Sequence, residues 1–198
     1  MDKGQAHRYA WMEDSGISPI QQGRARMKVL VTGATGYVGG LLVDRLLASG
    51  HDVRVLARNR AGAEGRSWAP RVEIVEGDLT RPDSLRAALE GVDAAYYLVH
   101  SMCSGDDFAE RDRKAAHNFV AAAGHLKQAV YLGGIRPPDD PTQPNSEHLR
   151  SRAEIGQILR DALPTTELRA GPVIGGGSAS FEMVRYLTER LPAMIAPK

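Results

Sequence analysis

The sequence predicts an α/β protein in which a doubly wound parallel sheet lies between two layers of helices. Short apolar runs, beginning with KVLVT at residues 28–32, alternate with longer segments whose apolar residues recur at helical spacing. The connections between these segments are short. A glycine-rich turn at residues 33–39 joins the first apolar run to the first helical segment. Together these observations predict a three-layer αβα arrangement.

The predicted domain spans residues 27–198 and follows a polar leader. Residues 1–26 carry no apolar run of the kind found in a signal peptide, and we expect them to be poorly ordered. Continuous apolar runs indicate strands that are buried on both faces. Six strands are predicted, at residues 28–32, 52–58, 71–78, 93–101, 128–134 and 165–173, the last of these segments comprising a strand and a turn.

Helices are predicted between most of these strands. The helix after the first strand should end near Gly50, which can serve as its C-terminal cap. Others are predicted at 82–91, at about 107–123 and from a cap at Ser146 to about 163. A loop is predicted from the second strand to Pro70. After the sixth strand come a glycine-rich loop and one more helix, so we expect the substrate-binding part to be curtailed.

Composition excludes several classes of function. The formal net charge is +1, which gives no basic field for binding nucleic acid. No stretch of roughly 18 apolar residues predicts a membrane span. The histidines show no metal-ligand spacing, so we expect no structural metal. With Cys103 as the one cysteine, no intrachain disulfide can form, and a cytoplasmic location is expected.

The turn after the first strand has the pattern GxxGxxG, formed by Gly33, Gly36 and Gly39. The first glycine permits a tight turn, the second lets the backbone approach a pyrophosphate, and the third lets the helix pack closely on the strand. The helix N-terminus then directs free N–H groups at the phosphates. The pattern predicts a Rossmann-type dinucleotide site, although glycines also mark ordinary turns. The intervening residues assigned to this site are Thr35, Tyr37 and Val38.

The end of the second strand bears on the choice of dinucleotide. NAD-preferring sites carry an acidic residue there, which binds the ribose 2′-hydroxyl. This sequence has Arg58 and Arg60 instead, and a guanidinium can bind a 2′-phosphate through paired hydrogen bonds. The prediction is therefore NADP rather than NAD, the alternative being two solvated loop arginines.

Residues after the third strand are candidates for the adenine site. Asp78 can accept a hydrogen bond from the adenine amino group, with Leu79 beside the ring. Asp78 can equally cap the helix that follows.

These motifs resemble the atypical short-chain dehydrogenase/reductase superfamily, in particular its NmrA-like branch and bacterial proteins of the YbjT type. The resemblance extends from residue 27 to the glycine-rich turn near residue 175. It is carried by TGATGYVG (32–39), GDL (77–79), YYLVHSM (96–102), YLGGI (131–135), SEHLRSRAEIG (146–156) and RAGPVIGGGSASFEMVRYL (169–187).

The resemblance implies further cofactor contacts at the carboxyl ends of the later strands. These contacts would be Val99, His100 and Ser101 along the ribose, Gly133 beside the nicotinamide, and Gly171, Pro172 and Val173 at the carboxamide. His100 can equally be a partly buried structural histidine. The resemblance also implies that a homodimer can form through the helix after the fourth strand.

The sequence departs from the superfamily at its catalytic helix. Catalytic members carry Tyr-x-x-x-Lys there and a Ser or Thr after the fifth strand. Here His148 and Arg152 occupy the Tyr and Lys positions, and Gly133-Gly134 offers no hydroxyl. Imidazole exchanges protons near neutral pH, because its reference pKa is about 6.5. His148 could therefore act as acid and base, while Arg152 binds cofactor ribose.

Three interpretations of this helix remain open. The first is an NADP-dependent oxidoreductase or isomerase that uses His148 and Arg152 on an unidentified small molecule. The second is a non-catalytic NADP-binding sensor or scaffold, as known in the NmrA-like branch. The third is a fragment that binds nothing stably. The charged neighbours Glu147, Arg150 and Glu154 also allow the pair to be part of a solvated helix face.

Overall fold

The computed structural model of the protein describes residues 25–100, 108–135 and 146–191. Its strands form one six-stranded parallel sheet in the order β3-β2-β1-β4-β5-β6. The strands are β1 (Lys28–Thr32), β2 (Asp52–Ala57), β3 (Glu73–Glu76), β4 (Ala94–Tyr97), β5 (Gln128–Gly134) and β6 (Thr165–Ala170). This order confirms the predicted Rossmann-type fold, in which a ligand crevice opens where the strand order reverses, between β1 and β4.

Helices cover both faces of the sheet. They are α1 (Tyr37–Ala48), α2 (Arg60–Glu64), α3 (Pro82–Leu89), α4 (Phe108–Ala122), α5 (Glu147–Ala162) and α6 (Ala179–Arg190). One core contains residues of α3, α4 and α5, such as Leu85, Phe119 and Leu159. A second core, on the α1 side, contains Val43 and Trp68. The two cores give the three predicted layers.

Several predicted strand ends are wrong, because the strands end before the apolar segments that predicted them. The strands β3 and β4 end at residues 76 and 97, rather than at 78 and 101. The Thr32 hydroxyl shows why β4 stops. It donates to the Tyr96 carbonyl and accepts from the Leu98 amide, each at 3.1 Å. A side chain therefore takes the place of the backbone hydrogen bonds between β1 and β4 at this point.

The predicted loop between β2 and Pro70 is also wrong, because the segment contains α2 and a short 3-10 turn at Ala69–Arg71. Asn59 caps α2 by accepting from the Gly62 amide at 3.3 Å. Arg60 pairs with Glu64 at 2.7 Å, one turn further along the helix. These local interactions stabilise a helix too short to show an apolar period.

The predicted caps are confirmed. Ser146 Oγ accepts from the Leu149 amide at 3.3 Å at the start of α5. Gly50 follows α1 with a φ of +81°, a left-handed conformation that favours glycine. In the described ranges, none of the helices has the length and apolar character needed to cross a bilayer.

Candidate active site

The glycine-rich turn leaves β1 at the centre of the sheet and starts α1. Gly33 has a φ of +73°, and a Cβ there would lie 3.2 Å from the Leu98 carbonyl carbon and oxygen. The Gly36 amide donates to the Gly33 carbonyl at 3.0 Å, which closes the turn. Gly36 is the N-cap of α1 and provides no side-chain cap. The first amides of α1 are therefore open to an anionic ligand.

Gly39 shows the tightest constraint in the turn. A Cβ there would lie 2.3 Å from the Gly33 oxygen and 2.7 Å from the Ala34 Cα. Both atoms belong to the backbone, so no side-chain rotation could relieve the clash. The third glycine therefore permits close packing of helix on strand, as its position predicted.

The two arginines predicted after β2 have different surroundings. Arg60 is held by Glu64 and donates to the Ile74 carbonyl at 3.1 Å, so its guanidinium is already engaged. Arg58 is exposed, and its positive charge acts on Asp78. Of the two, Arg60 is held by partners in its own segment and on β3, whereas Arg58 is exposed.

Asp78 forms a turn rather than a cap for α3. Its Oδ1 accepts from both the amide and the hydroxyl of Thr80 at 2.8 Å, whereas α3 has no side-chain cap. Burial works to raise the pKa of Asp78, but the Thr80 hydrogen bonds and the charges of Arg58 and Arg81 outweigh it and lower the pKa. Leu79 is buried in the core. Its carbonyl accepts from the Asn118 side-chain amide at 2.9 Å.

At the other end of the crevice the structure brings His100 and His148 together. Their rings meet edge to face with centroids 5.9 Å apart, and Phe108 lies 6.3 Å from His148. Burial lowers the pKa of His100, and the positive charge of Arg152 and the neighbouring His148 lower it further, against an opposing effect of Asp112. His100 is therefore neutral near pH 7. Two residues predicted separately form one cluster.

Arg152 lies over the carboxyl end of β5. Its Nη2 donates to the Leu132 carbonyl at 2.7 Å. Its Nε is buried and has no hydrogen-bond partner within the described residues. A Cβ on Gly134 would lie 3.3 Å from this Nε, so glycine leaves room beside the guanidinium. An unpaired buried donor of this kind indicates a missing acceptor.

Tyr131 does not replace the missing catalytic tyrosine. It lies on β5, is 2% exposed, and its hydroxyl donates to the Arg152 carbonyl at 3.0 Å. Burial raises the pKa of Tyr131 to about 12, against a lowering effect of Arg152. This phenol is buried and joins α5 to the sheet.

Gly133 has a structural explanation that the sequence did not reveal. A Cβ there would lie 2.6 Å from the Glu167 Oε1, and one on Gly156 would lie 2.9 Å from the same atom. Glu167 forms ion pairs with Arg160 and Arg169. The two glycines therefore make room for a largely buried carboxylate.

The segment after β6 returns to the glycine-rich turn. Val173 accepts a hydrogen bond from the Ser178 hydroxyl through its carbonyl. A Cβ on Gly175 would lie 2.2 Å from the Tyr37 hydroxyl, so this loop packs on the first residue of α1. Gly171 packs against Ile135, and Pro172 is exposed. The predicted contact Ser101 lies outside the described residues.

These features fit a dinucleotide. The glycines at 33, 36 and 39 allow a tight turn and close packing of α1 on β1, and the first turn of α1 has no side-chain cap. The unpaired Arg152 Nε lies at the opposite end of the crevice. The fold and the site therefore define a dinucleotide-binding domain.

The model of the NAD(P)H-binding family matches residues 33–166, more than half of the chain. The chain therefore belongs to this family and, as its motifs predicted, to the atypical short-chain dehydrogenase/reductases.

Named relatives are consistent with this assignment. A probable dTDP-4,6-dihydroxy-2-methyloxan-3-one 4-ketoreductase from Streptomyces antibioticus is 30% identical over 83% of this chain and 57% of its own length. A 3 beta-hydroxysteroid dehydrogenase/Delta 5→4-isomerase from Mycobacterium tuberculosis is 39% identical over 54% of this chain and 28% of its own length. The chain thus spans only part of the curated relatives that it matches.

Solved structures show the same fold. The NADP(H) complex of Citrobacter sp. triphenylmethane reductase has a TM-score of 0.59 and 26% identity, over 71% of this chain and 48% of that one. Bordetella bronchiseptica WbmH in complex with NAD⁺ has a TM-score of 0.68 and 21% identity, over 83% of this chain and 62% of that one.

Proposed function

We propose that the chain is the cofactor-binding part of an NADP(H)-dependent oxidoreductase in which His148 is the acid/base group and Arg152 anchors the nicotinamide ribose. The observation that carries the proposal is the cluster of His100, His148 and Arg152 at the carboxyl ends of β4 and β5. Ligands of this fold bind at those strand ends. The relatives described as reductases and dehydrogenases support the same reaction class.

In this proposal the chain holds the two ends of the cofactor differently. The amides of the turn from Gly33 to Gly39 bind the pyrophosphate, and Arg58 binds the 2′-phosphate. Arg152, whose Nη2 is held by the Leu132 carbonyl, offers its guanidinium to a ribose hydroxyl. When bound, NADPH supplies a hydride to the substrate.

His148 supplies the proton that a carbonyl oxygen needs as it becomes an alcohol. The ring of His100 and that of Phe108 confine the imidazole. Since His100 is neutral, it adds no positive charge beside His148 near pH 7. Arg152 cannot exchange protons, because guanidinium pKa values exceed about 12, so its role is to bind and orient.

The His148 assignment is tested by turnover of NADPH over a panel of aldehydes, ketones and quinones. We expect His148→Phe to lower kcat at least about 100-fold while NADPH affinity changes little. The matched control is His117→Phe on the exposed side of α4, which should leave turnover unchanged. Equal, nonzero rates for His148→Phe and the unaltered chain would remove His148 from the chemistry.

The preference for NADP is tested by Arg58→Asp. This change replaces a cation with a carboxylate able to bind the ribose 2′-hydroxyl. We expect NADPH affinity to fall about 10- to 100-fold and NADH affinity to hold or improve. Unchanged selectivity in a fluorescence titration would refute the role of Arg58.

A second candidate function is a non-catalytic NADP(H)-binding sensor or scaffold. The observation that favours it is the absence of the Tyr and Lys of the superfamily from α5, where His148 and Arg152 stand. Saturable binding of NADPH without turnover of any carbonyl compound in the panel would support this candidate over the oxidoreductase.

A further inference from the structure

An arginine in the segment between α2 and β3 contacts the glycine-rich turn. The Arg66 Nη2 donates a hydrogen bond to the Thr35 carbonyl, 31 residues earlier in the chain. Thr35 is an exposed residue of the turn that faces the cofactor pyrophosphate. None of the roles assigned so far uses Arg66.

Arg66 is held in this position by its own backbone and by a neighbour. Its amide donates to the Ala63 carbonyl at 3.1 Å, and its carbonyl accepts from the Ala69 amide at 3.0 Å. Trp68, two residues later, is 2% exposed and belongs to the core beneath α1. The Trp68 Nε1 lies 3.7 Å from where a Cβ on Gly40 would stand. The arginine is thus fixed beside the first turn of α1.

The charge of Arg66 is not neutralised within the described part of the chain. Other arginines of this region have acidic partners there: Arg60 pairs with Glu64 at 2.7 Å, and Arg71 with Asp44 at 2.6 Å. Arg66 is exposed, and the described residues engage one of its five N–H donors, through Nη2. The remaining donors suit an oxyanion.

We propose that Arg66 is a second phosphate-binding residue, which together with Arg58 clasps the phosphate monoester on the adenosine ribose of NADP(H). Arg58 follows β2, whereas Arg66 lies beside the glycine-rich turn. In this fold the adenosine ribose lies between those two elements. The inference rests on the proposed function, because it assigns a residue within the same cofactor site. It makes Arg66 a determinant of the choice between NADP and NAD.

A purely structural role for Arg66 predicts a different result. An arginine that only holds the Thr35 carbonyl would shape the pyrophosphate site, which NADPH and NADH share. Its loss would weaken both nucleotides equally. A 2′-phosphate contact weakens NADPH alone, because NADH lacks that group. The ratio of the two dissociation constants therefore separates the roles.

The experiment is a fluorescence titration of the full chain with NADPH and NADH, repeated by calorimetry with 2′,5′-ADP and 5′-AMP. We expect Arg66→Met to weaken NADPH and 2′,5′-ADP about 10- to 100-fold and to change NADH and 5′-AMP by less than about twofold. Arg66→Lys keeps the positive charge but lacks the paired N–H donors of a guanidinium. Its NADPH affinity should lie between those of the unaltered chain and Arg66→Met. Arg71→Met is the matched control, because Arg71 pairs with Asp44 and has no assigned cofactor contact, and it should leave the NADPH/NADH ratio unchanged.

The outcomes separate this inference from the proposed function. Equal losses for NADPH and NADH in Arg66→Met, or no loss in either, would overturn the phosphate role while leaving the NADPH site intact. If the unaltered chain binds neither nucleotide, the proposed function fails and this inference fails with it. If the unaltered chain binds NADH as tightly as NADPH, the assignment of Arg66 is wrong even though the dinucleotide site stands.

Discussion

The two ends of the cofactor crevice are built in different ways. At the phosphate end the backbone is constrained, since a Cβ on Gly39 would meet backbone atoms at 2.3 Å, and Trp68 is buried at 2% exposure beneath α1. At the proposed nicotinamide end, side chains determine the site, and Ile135, directly after β5, is 56% exposed. In the proposed site, binding of the dinucleotide thus depends on backbone geometry, and the proposed chemistry depends on a few replaceable side chains.

The largest expected effect is on the free energy of unfolding. It should distinguish a buried aromatic residue at the phosphate end from an exposed one on α6. Trp68→Ala should lower the free energy of unfolding by about 3–5 kcal/mol, because it leaves a cavity beneath α1. Tyr186→Ala should cost no more than about 1 kcal/mol, since Tyr186 is 53% exposed and contacts Arg190 across its ring. Urea unfolding followed by circular dichroism measures both. Similar losses would show that α6 is packed as tightly as the core beneath α1.

The next largest effect, on stability and NADPH binding, should distinguish two adjacent glycines of α1. Gly39→Ala should destabilise the fold by about 1–3 kcal/mol or more and remove NADPH binding, because its Cβ has no space. Gly40→Ala is the control, with its nearest neighbour at 3.5 Å, and should be neutral or stabilising by up to about 1 kcal/mol. Thermal unfolding distinguishes them. Equal tolerance at both positions would disprove the packing constraint.

At the nicotinamide end we expect a smaller effect, on binding rather than stability. Arg152→Met should weaken NADPH about tenfold, because it removes one charge-assisted contact to the ribose. Arg150→Met, on the exposed face of the same helix, should change NADPH affinity by less than about twofold. Isothermal titration calorimetry gives both values. A tenfold loss for Arg150→Met as well would indicate a general charge effect.

The smallest effect is a pH dependence of stability that comes from His100. Burial, the positive charge of Arg152 and the neighbouring His148 lower its pKa in the folded protein, despite the opposing charge of Asp112. As the pH falls below about 6.5, the unfolded chain binds the proton first, so stability decreases. Replacing His100 with Gln should flatten the stability profile between about pH 5 and 7. An unchanged slope would show that His100 is not the group responsible.

Much of the phosphate end was predictable, because its constraints are local in the sequence. The spacing of Gly33, Gly36 and Gly39 within one strand–turn–helix unit is enough to predict the turn that the structure contains. The doubly wound parallel sheet followed from the alternation of strands and helices. The cap at Ser146 was equally local.

The remainder depends on contacts between distant residues. Arg66 meets Thr35 across 31 residues, and its segment carries no apolar period, so the sequence indicated a loop. Gly133 was predicted from resemblance to border the nicotinamide, whereas its lack of a side chain makes room for Glu167 on the neighbouring strand. His100 and Arg152 were named individually, but only the folded sheet brings them to one cluster.

The most direct test of the central claim is a titration of NADPH fluorescence with the unaltered chain. The proposal predicts saturable binding with one site per chain and weaker binding of NADH, because the glycine-rich turn binds the pyrophosphate and arginines bind the 2′-phosphate. Absence of saturable binding by either nucleotide would contradict both the cofactor site and every role derived from it.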